Sequence, residues 1–153
     1  MSLLKYVNER TVKMRMESRD KQSAIEELVI LLEKNGVIIN RGLVIKDVWE
    51  REKQGSTGLE HGIAVPHGKT SGVTELTMAI GLSIEGIPFE SLDGQPAKII
   101  FLLLSTPDLA GPHIAMLKEI AFFVNNDSVR EKILHSESAD EIIGIIREIE
   151  TGL

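Results

Sequence analysis

From Thr11 to Glu17 the chain alternates: Val12, Met14 and Met16 point one way, Thr11, Lys13, Arg15 and Glu17 the other, which is the period of a half-buried strand. The period then changes. Ile25, Leu28, Val29 and Leu32 recur at helical spacing, with Asp20 or Ser23 available as the cap and Asn35-Gly36 as the stop. A second helix is predicted from Arg41 to Lys53, with Val44, Ile45, Val48 and Trp49 inward and Gly55 closing it. Trp49, one aromatic among aliphatics at helical spacing, reads as core. Ile63-Ala64-Val65 has strand character. Thr74 to Ser83 reads as a longer strand bounded by Gly72 and Gly86, with Leu76, Met78, Ile80 and Leu82 on one face. Gly86-Ile87-Pro88 and Leu92 to Pro96 read as turns. Lys98 to Leu104 is almost continuously aliphatic, as suits a central strand covered on both faces.

Pro107 ends that strand and leaves Ser105 and Thr106 at its C-terminal edge, where open α/β sheets bind ligands. The next helix is expected to open at Gly111-Pro112-His113 and to bury Ile114, Leu117, Ala121 and Val124. Asp127 or Ser128 is the expected cap of a short helix through Leu134. Ser138, with Glu141 three residues on as in a capping box, starts a last helix that buries Ile142, Ile145, Ile146 and Ile149. Leu3, Leu4, Tyr6 and Val7 suggest a helical turn at the N-terminus. With no repeat, linker or low-complexity tract, the pattern predicts one α/β domain over residues 1–153: a mixed sheet of four to five strands flanked by helices.

Composition narrows the classes. The 153 residues are 42% hydrophobic and 26% charged, ordinary for a globular domain. There is no cysteine, so neither a disulfide nor a thiolate zinc site can be built, and a reducing compartment is compatible. The apolar runs fall far short of the ~20 residues that cross a bilayer, and the N-terminus lacks the apolar core of a signal peptide. A cytoplasmic protein with no direct membrane insertion is expected. A net charge of −6, with 17 basic residues scattered among 23 acids, disfavours nucleic acid.

The candidate chemistry lies between Gly55 and Lys69. His67 follows the short apolar run and sits between Pro66 and Gly68, a pair expected to stop the strand and turn the backbone, so that the imidazole projects from a strand end at a loop. Imidazole has a pKa near ~6.5 and at neutral pH keeps a lone pair free for attack on phosphorus. A transferred phosphoryl group needs alignment and positive or hydrogen-bonding neighbours more than further covalent steps. His113, in the first turn of a helix, is a candidate donor backed by the helix dipole. Arg51 is a candidate for charge neutralisation, although a charged residue at a helix end is more often simply solvated. Ser56 and Thr57 either donate hydroxyl hydrogen bonds or brace the loop.

The run Ile-Ala-Val-Pro-His-Gly at 63–68, preceded by Arg51-Glu52 and Gly55-Ser56-Thr57-Gly58, closely resembles the phosphorylated-histidine segment of enzyme IIA components of the bacterial sugar phosphotransferase system, mannitol and fructose type, a family that includes the nitrogen-regulatory enzyme IIA. Gly86 to Gly94, Lys98 to Leu104 and Gly111-Pro112-His113 follow in the order expected of it. The resemblance implies a phosphohistidine carrier that needs no cofactor. It implies that His67 accepts the group from the phosphocarrier protein HPr, or its nitrogen-branch equivalent, and passes it to an enzyme IIB. It also implies that His113 and Arg51 stabilise the phosphate. The chain carries no transporter or IIB segment, so a transport role is expected to need separate partner chains. Nitrogen-type members use the same histidine as a switch on protein binding, and sequence separates the branches poorly; Gly86 to Gly94 looks at least as close to the fructose and mannitol members.

A rival of another class is a three-histidine metal site of His61, His67 and His113 with Glu60. Against it, no His-x-x-x-His pair lies on a helix, and Pro66 shapes a turn rather than a strand aligning His61 with His67. His61 otherwise reads as structural and His135 as a surface residue.

Overall fold

The computed structural model describes residues 2–152 and contains five strands and five helices. The strands are β1 (Val12–Lys13), β2 (Ile63–Ala64), β3 (His67–Lys69), β4 (Thr77–Ile87) and β5 (Ala97–Ser105). The helices are α1 (Lys21–Lys34), α2 (Arg41–Lys53), α3 (Ala110–Val124), α4 (Asp127–Leu134) and α5 (Ala139–Thr151), with 3-10 turns at Leu3–Lys5, Glu9–Thr11 and Pro107–Leu109. They form the expected single α/β domain with a mixed sheet. Its order is β1-β4-β5-β2, and β3 continues along the same edge of β5 as β2. β4 and β5 are antiparallel, and β1, β2 and β3 run parallel to their neighbours.

The aliphatic run of β5 explains the layering. Ile99, Phe101 and Leu103 face one core, filled by Met116, Ile120 and Phe123 of α3 and by buried residues of α4 and α5. Ile100, Leu102 and Leu104 face the other, filled by Ala24, Ile25, Leu28, Val29 and Leu32 of α1 and by Val44 and Val48 of α2. A strand with helices on both faces has no solvated side, which is why it does not alternate. Among the described residues no helix is long and apolar enough to cross a membrane.

The helix ends follow capping chemistry. Asp20 caps α1 by accepting from the Ser23 N–H at 2.8 Å, and Asn40 caps α2 by accepting from the Leu43 N–H at 3.1 Å. Ser138 caps α5, accepting from the Glu141 N–H at 3.2 Å, but the Glu141 carboxylate turns to the Glu137 N–H rather than closing the box. α4 is capped by Asn126, not by Asp127 or Ser128: its Oδ1 accepts from the Val129 N–H at 3.2 Å, and Asp127 is already helical.

Four further expectations change. The first strand keeps only Val12 and Lys13, because the Glu27 carboxylate of α1 takes the backbone N–H groups of Glu17 and Ser18 and draws the chain off the sheet; only the Met16 N–H still reaches β4, at Leu82 O. β4 runs past Gly86 through a bulge to pair Ile87 with Ala97, so Gly86-Ile87 is strand rather than turn. α3 buries His113, Met116, Ile120, Phe123 and Val124, whereas Ile114 and Ala121 face outward. α5 buries Ile142 and Ile146 fully but leaves Ile149 at the surface.

Candidate active site

Pro66 interrupts the edge strand without ending it. Its missing N–H splits the pairing between Ile63-Ala64 and His67–Lys69, but the chain resumes beside β5 with His67 opposite Leu103, Gly68 opposite Leu104 and Lys69 opposite Ser105. His67 therefore stands on a strand rather than in the loop expected for it. Alternation then decides the side chains: Gly68 points at α2, and His67 and Lys69 point to the opposite face. A Cβ on Gly68 would lie 3.2–3.3 Å from the Val48 side chain and backbone, so glycine lets β3 approach α2 closely.

The strand brings His67 to His113. Their ring centroids are 5.5 Å apart with planes tilted by 57°. They line one cleft of about 490 Å³ with Arg51, Lys69, Asp47, Glu50 and the outward Ile114. Arg51, near the end of α2, donates from Nη1 to the Gly55 carbonyl at 2.8 Å.

The ring nitrogens are not equivalent. His67 Nδ1 lies 2.7 Å from the Val65 carbonyl oxygen, which can only accept. Nδ1 therefore carries the proton, and in the neutral ring Nε2 keeps the lone pair. Burial lowers the His67 pKa, opposed by the Val65 hydrogen bond and reinforced by the positive charge of Arg51. Burial, with the charges of His67 and Lys69, pushes His113 down to about 4. Both imidazoles are thus neutral at neutral pH. His113 Nδ1 is 2.6 Å from the hydroxyl of Ser105, at the C-terminal end of β5.

The His113 shift has a thermodynamic consequence. Its folded pKa lies below the unfolded value of 6.5, so the unfolded chain binds the extra proton first. The contribution is complete above pH 6.5 and is lost as pH falls through the window down to about 4. A shift of this size is worth about 3 kcal/mol, so unfolding free energy measured between pH 7 and 4 should fall less steeply in His113→Gln than in the parent. Parallel slopes would mean that His113 does not titrate as its burial dictates.

Ser56 and Thr57 do not line the cleft. Ser56 donates its hydroxyl to the Phe89 carbonyl, and Thr57 is buried with its hydroxyl on Glu52, so both brace the loop. His61 lies apart, at φ +62, its N–H on Asp93 and its ring near Glu60, beside Leu92 and Ala121. Among the described residues no three histidine or acidic side chains gather as metal ligands, so the trio with His61 does not assemble. His135 is exposed at the end of α4. The sequence pattern assigns no role to Lys69 or Glu52 and places Ser105 only at the strand edge where ligands bind, without pairing it to His113. Lys69 was accessible through the i, i+2 relation to His67 once that segment is read as strand; Ser105 and Glu52 act through contacts that no local pattern encodes.

The Gly55–Gly58 loop is pressed onto the Phe89–Ser91 segment. A Cβ at Gly58 would lie 2.8 Å from the Phe89 carbonyl oxygen and 2.9 Å from Ser91 Cα, backbone atoms that cannot rotate away. Gly58→Ala is expected to destabilise by about 1–3 kcal/mol, read as a lower urea midpoint; an unchanged midpoint would show the loop to be pliant.

A family model described as "Phosphoenolpyruvate-dependent sugar phosphotransferase system, EIIA 2" matches residues 5–149. The chain is 35% identical over 148 residues to the fructose-specific EIIABC component of Bacillus subtilis, covering 97% of this chain and 23% of that longer protein. Its fold superposes on the nitrogen regulatory protein IIA-Ntr of Neisseria meningitidis with a TM-score of 0.87 at 32% identity, over 94% of this chain and 98% of that one. It also superposes on the mannitol enzyme IIA of Escherichia coli, solved in complex with phosphorylated enzyme IIB, with a TM-score of 0.80 over 92% and 96% of the chains; at 21% identity this likeness concerns the fold alone. The chain belongs to the EIIA 2 family of the phosphoenolpyruvate-dependent sugar phosphotransferase system, whose work is phosphoryl transfer through a histidine.

Proposed function

We propose that His67 is the phosphoryl-accepting residue, that it reacts through Nε2, and that the protein takes the group from an HPr-type phosphocarrier and hands it to an enzyme IIB in the cytoplasm. The observation that carries this reading is the bond between His67 Nδ1 and the Val65 carbonyl, 2.7 Å long, in a ring that lines the cleft. As Nε2 attacks, the bond between phosphorus and the donor nitrogen breaks and its electron pair stays with the donor. Positive charge develops on the His67 ring, and the Nδ1–H bond to Val65 O stabilises it. A pKa held low by burial keeps the lone pair free at working pH.

The phosphoryl oxygens need partners. His113 can donate to a phosphoryl oxygen in the tautomer that carries its proton on Nε2, the one in which the Ser105 hydroxyl, 2.6 Å away, donates to Nδ1. Arg51 adds a permanent charge from the other wall of the cleft and Lys69 a second from the same strand. The step onto His67 needs no cofactor, because the phosphoryl group passes directly from the donor nitrogen to Nε2 with no change of oxidation state.

Sugar uptake is the reading we favour for the branch, supported by the identity to a fructose-specific relative and by the Gly86–Gly94 segment. The alternative is a nitrogen-type regulator, supported by the likeness to IIA-Ntr. One experiment tests both: the protein is charged with phosphoenolpyruvate, enzyme I and HPr, then offered fructose- and mannitol-type IIB domains. Rapid loss of label to a IIB supports transport. Retention of label against every IIB supports the regulatory role, and failure to charge from either HPr or its nitrogen-branch equivalent overturns the carrier reading.

A further inference from the structure

Glu52 stands where helix energetics disfavour it. It is the penultimate residue of α2, at the negative end of the dipole, and is 6% exposed. A buried carboxylate is costly unless its acceptor capacity is filled, and here it is: Oε2 accepts from Lys21 Nζ at 2.9 Å and from the Thr57 N–H at 3.1 Å, and Oε1 from the Thr57 hydroxyl. Lys21 is itself 9% exposed, lies 3.3 Å from both the Ser56 hydroxyl and the Glu90 carboxylate, and packs over the Phe89 ring. This cluster joins α1, α2, the Gly55–Gly58 loop and the segment after β4. Well-packed apolar side chains often replace a buried ion pair without loss of stability, so stability alone does not account for the cluster, which also ties four segments in one position.

What it holds is the carbonyl on which Arg51 rests. Arg51 donates to Gly55 O at 2.8 Å, and Gly55 lies between the helix end and the residues that Glu52 and Lys21 grip, Thr57 and Ser56. Adjacent helical residues point ~100° apart, so locking Glu52 inward also sets the direction in which Arg51 leaves the helix. We infer that Glu52, clasped by Lys21 and Thr57, is a positioning residue for Arg51: it fixes the Gly55 carbonyl and so holds the guanidinium at the phosphate cleft. The inference rests on the reading that Arg51 neutralises the phosphoryl group.

A double-mutant cycle tests it, with the rate of phosphoryl transfer from phospho-HPr measured in the parent, Glu52→Gln, Arg51→Ala and the double variant. Glu52→Gln is expected to slow transfer about tenfold or more in the parent background, since misplacement by ~1 Å can cost up to ~10²-fold, and to slow it no further once Arg51 is gone. Equal slowing in both backgrounds, or none in the parent, overturns the inference. If Glu52→Gln does not fold, Thr57→Val, which keeps the shape and removes the hydroxyl donor, takes its place in the cycle with the same expected pattern. An Arg51→Ala variant that transfers at the parental rate would instead sink the assignment of Arg51.

Discussion

His67→Ala is expected to abolish the acid-labile, base-stable phosphorylation that the parent acquires from phosphoenolpyruvate, enzyme I and HPr. The reason is that no other ring in the cleft presents an equivalent nitrogen. His113 is 2% exposed, and its Nδ1 is engaged with Ser105, so only Nε2 remains to it. The remaining histidines, 61 and 135, lie outside the cleft that Arg51 and Lys69 line. The fold should persist: the variant loses the part-buried bond to Val65 O, worth about 1 kcal/mol, and no core side chain. Far-UV circular dichroism and a urea midpoint close to the parent's would show that the loss is chemical. Label at the parental level in this variant would move the nucleophile to another residue.

The parts of the fold that the sequence made legible are those set by local physics. α2 runs from Arg41 to Lys53 as expected because an apolar stripe and a following glycine agree. β5 was legible as the central strand because burial on both faces writes itself as an unbroken aliphatic run. What could not be read were the places where a distant contact overrides a local pattern. The alternation from Thr11 to Glu17 is sound strand grammar, and Glu27, ten residues on, defeats it. In α3 nearly every residue is apolar, so periodicity cannot choose a face; the helix is turned so that His113 meets Ser105, eight residues back. The pairing of His67 with His113 was foreseeable, but the engagement of His67 Nδ1 was not, because it depends on a carbonyl two residues back that no local pattern aims at the ring.

His113→Ala should still accept phosphate, but transfer should slow by ~10²-fold or more, the range found when one preorganised donor is removed from a site of developing charge. The expectation follows from where charge moves. In a loose transition state the equatorial oxygens carry most of it, and on the proposed reading a neutral His113, in the tautomer with Ser105 donating to Nδ1, gives its Nε2 proton to them at little reorganisation cost, since Ser105 already holds the ring. The extent of labelling after long incubation should match the parent's, because the nucleophile is intact; single-turnover rates separate the two quantities. Stability should fall as well, since the Ser105 hydroxyl is left buried and unpaired at a cost of about 1–3 kcal/mol. Ser105→Ala separates packing from proton placement: it keeps the imidazole and removes the group that directs its proton, so it should slow transfer by less than His113→Ala does. If His113→Ala instead transfers at the parental rate while losing stability, His113 belongs to the core, and the phosphoryl oxygens must be held by Arg51 and Lys69 alone.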